Sequence, residues 1–208
     1  MRRVGAADFF TAEARKSVAA AVAEVESCTC AEIVVVVRHR SASWREVDLS
    51  VGAITAFAML LLVLFHPKPV PLIGIPIDVA LAFLGGFVMS AGLPALKRAL
   101  LLKAKVTEQA RARAHEAFVD QGVSRTHRRT GVLVYVSIFE RRVELVADVG
   151  VPSDALKEPS RALAAAFAHG ADFDAFVGAL RTLRPALERP LPRAPDDVNE
   201  LPDEPVVS

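Results

Sequence analysis

Apolar and polar positions follow three different regimes along the 208 residues. In the first, Ala14, Val18, Ala21, Val22 and Val25 recur at helical spacing behind Thr11, with Glu13 in the first turn. A hydroxyl cap and an early acid favour a helix start, so the spacing predicts a helix over about 12–27. Glu32 then leads into Ile33, Val34, Val35, Val36 and Val37. A β-branched run of this kind reads as a strand covered on both faces. A strand needs neighbours, and residues 1–47 offer none.

The middle regime is almost purely apolar. Residues 49–65 carry no charge over 17 positions, and residues 79–96 carry none over 18. At a helical rise of about 1.5 Å per residue these cover roughly 25 and 27 Å, near the lower limit for crossing a bilayer. Prolines at 67, 69 and 71 end the first segment in a short extended connection. Gly85, Gly86, Ser90, Ala91 and Gly92 are small enough for two helices to approach closely. Asp78, at the entry of the second segment, reads as an interfacial residue.

The third regime returns to amphipathic spacing. Residues 103–121 predict a helix stopped by Gly122, and residues 131–139 and 143–149 predict two strands joined as a hairpin through Glu140, Arg141 and Arg142. Helices over 155–168 and 172–188 follow, the second disturbed near its end by Pro185. Residues 189–208, rich in proline and acid, read as an extended tail.

The expected organisation is therefore a split α/β domain. Residues 1–47 and 99–188 pair into one small sheet flanked by helices, and residues 48–98 form a transmembrane hairpin inserted between them. Composition agrees with an anchor: charged residues are an ordinary 24%, yet hydrophobic residues reach 52% and mean hydropathy is +0.35. Arg38, Arg40 and Arg45 precede the hairpin, and Lys97, Arg98, Lys103, Lys105, Arg111 and Arg113 follow it, whereas its loop holds only Lys68. The positive-inside bias places both arms in the cytoplasm and the chain in the plasma membrane as a multi-pass protein, with the lipid bilayer as its first partner. A net charge of +1 gives no reason to expect nucleic acid.

Candidate chemistry is sparse. No phosphate loop, nucleophile elbow or His-Glu-x-x-His motif occurs, and the five histidines show no ligand spacing. Cys28 and Cys30 read as reduced thiols. Ser137 lies inside a strand without an evident base. The basic run Arg125-Thr126-His127-Arg128-Arg129 reads first as a solvated loop near an anionic membrane surface, with a phosphate-binding fork as the alternative. Glu32 at the start of a strand, Asp148 at the end of another, and Asp196, Asp197, Asn199 and Asp203 in the tail together offer the hard oxygens that Ca²⁺ or Mg²⁺ takes.

Several stretches resemble the TPM-domain family: Phe9-Phe10-Thr11-Ala12-Glu13, Thr29-Cys30-Ala31-Glu32 with the valines after it, the hairpin from Thr130 to Asp148, and Asp196-Asp197-Val198-Asn199-Glu200-Leu201-Pro202-Asp203. The last is similar to the end of bacterial membrane-bound members. The resemblance implies an α/β sandwich. The family includes a thylakoid-lumen protein linked to photosystem repair and an accessory subunit of a neurotransmitter receptor; acid-phosphatase activity and divalent-cation binding have been proposed for some relatives. With the anchor and the lack of a catalytic motif, the expectation is a membrane-tethered accessory domain of this type assisting assembly or maintenance of a membrane complex, with a metal-assisted phosphatase using Asp148 and the tail acids as the rival. Cys30 and the lack of a tryptophan after Val151 depart from the family pattern.

Overall fold

The computed structural model describes residues 9–68, 71–101, 103–168 and 172–207. Residues 69 and 70, within the extended connection expected from the prolines, lie outside the described residues. The chain forms two compact units, one from residues 1–41 and 107–208 and the other from residues 42–106.

In the first unit, α1 (Ala12–Glu26) starts where Thr11 accepts a hydrogen bond from Ala14 N at 3.1 Å. It buries Val18, Val22 and Val25. β1 (Glu32–Arg38) finds its neighbours far along the chain. It pairs in parallel with β2 (Gly131–Ser137), Val35 lying opposite Val134, and β2 pairs antiparallel with β3 (Arg142–Ala147). A short β4 (Val206–Val207) adds itself to the other side of β1, completing a mixed four-stranded sheet in the order β3-β2-β1-β4. Parallel neighbours require a crossover connection rather than a tight turn. Here the crossover from β1 to β2 contains the whole apolar hairpin and then α5 (Lys103–Asp120).

Both faces of the sheet are covered. Ile33, Val35, Val37, Val132, Val134 and Val136 meet α1, α6 (Lys157–Ala168), α7 (Phe173–Arg181) and α8 (Leu183–Glu188), where Leu163, Phe167, Phe176 and Leu180 are buried. Val34, Val36, Leu133 and Tyr135 meet Ala114 and Ala117 of α5 on the opposite face. Period-two alternation thus feeds two cores at once, which is why the valine run tolerates no polar position.

Two features of this unit differ from those expected. The predicted helix over 172–188 breaks at Thr182 into α7 and α8. Pro185 lacks the N–H, and its ring clashes with the carbonyl four residues back, so the disruption falls at Arg181 rather than at Pro185 itself. The tail is not a free solvated segment, because β4 docks on β1.

In the second unit, α2 (Arg45–Leu64) and α3 (Ile75–Gly92) form a helical hairpin, followed by α4 (Pro94–Leu100). The second apolar stretch ends as a helix at Gly92, just before Pro94. Contact between α2 and α3 depends on small residues: a methyl group at Gly86 would lie 2.1 Å from Thr55 Oγ1, whereas one at Gly85 would meet nothing. Thr55 Oγ1 also donates to Ala82 O across the pair at 2.8 Å. At the base, Asp48 accepts from Ser90 Oγ and from Lys97 Nζ, both at 2.8 Å, so each buried polar group there has a partner. Elsewhere the hairpin turns its apolar side chains outward; Phe57 and Leu62 are each 62% exposed and Leu64 is 70% exposed.

Candidate functional site

Register decides which of the candidate residues meet. Glu32 opens β1 opposite Gly131, and Asp148 N donates to Gly131 O at 2.9 Å, so Glu32 and Asp148 come to the same end of the sheet. That end is the start of the two parallel strands. Asp148 follows a strand that runs antiparallel to them, so it does not occupy the carboxyl end of the parallel strands, where α/β sheets bind ligands.

Asp148 is fully engaged. Its Oδ2 accepts from Arg129 Nε at 2.7 Å; its Oδ1 accepts from Arg129 Nη2 at 2.9 Å and from Val149 N at 2.7 Å. The Arg129 guanidinium holds the carboxyl below its ordinary range, and the Val149 N–H assists. A carboxylate saturated in this way acts as a clamp on the loop before β2. A lowered pKa stabilises the fold above the unfolded value and is lost as pH falls through the folded one. Asp148→Asn is therefore expected to lower the denaturation midpoint at pH 6 and to flatten its decline towards pH 3, as followed by circular dichroism.

The tail acids reach the start of β1. Leu201 N donates to Glu32 Oε2 at 3.2 Å, and His127 N donates to the Glu200 carboxylate at 2.9 and 3.1 Å. Asp196 lies 3.8 Å from Arg128, Asp197 lies 3.7 Å from Arg193, and Asn199 Nδ2 donates to Asp203 Oδ1 at 2.6 Å. The basic run at 125–129 is thus partly covered by the chain's own acids. Glu32 is 4% exposed. Burial pushes its carboxyl up, the Leu201 and Glu200 N–H groups oppose this, and the Glu200 and Asp197 charges add to the rise.

Sequence reasoning missed Glu26. Its side chain sits at the end of α1, 9% exposed, with Oε1 accepting from Ile33 N at 2.8 Å. Burial pushes its pKa up to about 8; the Ile33 N–H works against this, and the facing Asp203 and Glu32 carboxyls reinforce it. The signal was present, since position 26 falls four residues after Val22 on the buried stripe.

The six expected ligands divide accordingly. Glu32 accepts from Leu201 N, Asp148 is held by Arg129, Asp196 turns to Arg128, Asp197 turns to Arg193, and Asn199 and Asp203 bond to each other. Among the described residues, no group of three or more His, Cys, Asp or Glu side chains is arranged to hold a metal ion. Beside Asp148, a cleft of about 590 Å³ has Leu145, Val151 and Leu156 among its apolar lining, with Lys157, Ser160 and Arg161 supplying polar groups. Its cations are engaged locally, Lys157 with Asp154 at 2.5 Å and Arg161 with Glu158 at 2.6 Å. Ser137 donates to Glu140, and both are buried, so this hydroxyl is not presented to a substrate.

No protein-family model matches the chain, and no curated protein does. Among solved structures, the NMR structure of the BA42 protein from the psychrophilic bacterium Bizionia argentinensis is similar over 96% of each chain, with a TM-score of 0.57 and 18% identity. At that identity the likeness establishes the fold alone.

Proposed function

We infer that this chain is a membrane-tethered accessory domain of the TPM type, which assists assembly or maintenance of a membrane complex. Its α2–α3 hairpin inserts in the plasma membrane, and its α/β domain stays on the cytoplasmic side. One observation carries the reading. Two helices of 20 and 18 residues have mean hydropathies of 2.3 and 1.7, yet only 17% and 11% of their apolar stretches are buried. A core helix of a soluble protein would bury most of that surface, because exposed apolar area on this scale is unfavourable in water. The excess of basic residues on the hairpin's flanks over its loop supports the orientation. A sequence without a phosphate loop, nucleophile elbow or His-Glu-x-x-His motif favours an accessory role over hydrolysis.

Alkaline carbonate extraction is expected to leave the chain in the membrane pellet. In a Cys28→Ala, Cys30→Ala background, Pro67→Cys is expected to react with an impermeant maleimide on intact cells, and Arg128→Cys only after lysis. Extraction into the supernatant would remove the anchor, and the reverse labelling would put the domain outside. A phosphatase assay with added Mg²⁺ or Ca²⁺ is expected to give no turnover; turnover that is abolished by Asp148→Asn in a variant still folded by circular dichroism would favour the hydrolase instead.

A further inference from the structure

The two edges of the sheet differ. On one side β4 covers β1, whereas among the described residues no strand lies beyond β3. The phase of the ladder fixes which backbone groups that open edge presents. Asp148 N donates to Gly131 O and Gly150 N to Arg129 O, both at 2.9 Å, so the even-numbered residues turn their N–H and C=O groups towards β2. Along an antiparallel strand the direction alternates, which leaves the N–H and C=O of Val143, Leu145 and Ala147 pointing away from the sheet. Such a row is a template for one more strand. No proline or bulge blunts it, because the six residues of β3 pair one to one with β2.

The side chains of the same three residues pack, partly buried, against the core that α6 covers. There the cleft of about 590 Å³ opens between Leu145 and Ala147 of β3, Leu156, and Lys157, Ser160 and Arg161 in the first two turns of α6. Val149, next in the odd-numbered series, is 84% exposed, so apolar surface continues past the end of the strand. An extended chain laid on this edge would bond its backbone to the outward groups and drop alternate side chains into the cleft.

Charge selects the occupant. Asp148 is the one acid in the lining, and Arg129 already neutralises it. Lys157 and Arg161 are held by Asp154 and Glu158, whose side chains are 83% and 80% exposed. Ion pairs this exposed are worth little, so either cation can exchange its partner for a carboxylate seated in the cleft. A carboxylate there is farther from bulk water and gains more from the same cation. A basic segment would instead meet two cations with no acid of its own to offer.

We propose that the groove between β3 and α6 binds an extended segment of a partner protein. The segment adds to the sheet as a fifth strand and sets an apolar side chain and, two residues away, an aspartate or glutamate against α6. This names a partner class for the accessory role proposed above, and it rests on that reading only in taking the partner to belong to a membrane complex.

The test uses the full chain in detergent and a labelled peptide, Thr-Glu-Thr-Val-Thr-Leu-Thr-Glu-Thr, whose glutamates and apolar residues share one face in either chain direction. It is expected to bind roughly tenfold or more tightly than the analogue with both glutamates replaced by lysine. The double variant Lys157→Glu, Arg161→Glu, changed only at exposed positions, should reverse that preference. N-methylation of the threonines removes one lateral set of N–H groups and N-methylation of the other four residues removes the opposite set. One of the two patterns should abolish binding and the other should not. Hydrogen exchange needs no variant: in the free chain Val143, Leu145 and Ala147 should exchange fast and Glu144 and Val146 slowly, and the glutamate peptide should slow the odd set alone. No binding, equal binding of the two peptides, binding that survives both methylation patterns, or an odd set already slow in the free chain would each overturn the proposal. Odd-set protection that rises with protein concentration would do the same, by making the edge an interface between two copies of this chain. Failure of carbonate extraction alone would remove the anchor and leave the groove standing.

Discussion

Val35→Asp is expected to unfold the α/β domain while leaving the apolar hairpin helical. Val35 is 1% exposed, opposite Val134 on β2 and within the larger of the two cores. A carboxylate there would lose its water and gain no partner. The resulting penalty is on the order of 3–5 kcal/mol, set against a total stability of about 5–15 kcal/mol for a domain of this kind. Residues 131–188 should become protease-sensitive together, because β1 is the strand that connects β2 to β4. Val35→Ala, which leaves only a small cavity, should cost less and retain the fold. Persistent protease resistance of residues 131–188 in the aspartate variant would mean that the C-terminal arm folds without β1.

The second large effect concerns pH and Glu26. Its pKa is raised from 4.5 to about 8 in the fold, so between these values the folded state binds a proton that the unfolded chain has lost. Stability attached to this group is fully present below about pH 4.5 and declines as pH rises towards 8, the reverse of the usual behaviour of a paired carboxylate. A shift of this size corresponds to on the order of 5 kcal/mol over that window. Glu26→Gln keeps an oxygen for the Ile33 N–H and cannot ionise. The variant is expected to be more stable than the parent at pH 9 and similar to it at pH 5, as read from denaturation midpoints in detergent. A parent whose stability does not fall between pH 5 and 9 would show that Glu26 is already ionised in the fold.

Much of the architecture is legible in the amino-acid sequence because it depends on short-range patterns. The hydroxyl of Thr11, the valine run after Glu32 and the stop at Gly122, whose φ of 69° suits glycine, are local signals with local causes. The same holds for the two apolar stretches, which need only a window of about 18 residues to be seen. The sequence also implied that β1 must find partners beyond the hairpin, since a lone buried strand cannot stand.

What the tertiary structure alone decided is which residues meet. No local pattern places Glu200 on the His127 N–H or β4 beside β1, because the partners lie 73 residues apart in the first case and 170 in the second. The acids of the tail looked like one ligand set, but the folded chain sends Asp196 to Arg128, Asp197 to Arg193 and Asp203 to Asn199. Asp148 looked available and is saturated by Arg129. By itself the sequence determined most of the helices and strands and the apolar hairpin, because hydrophobic periodicity and capping act within a few residues, but not α4, β4 or the break between α7 and α8. Sheet order, register and the tail's path set the charge environment of each carboxylate, because that environment depends on through-space neighbours and burial, which exist only once the chain has folded.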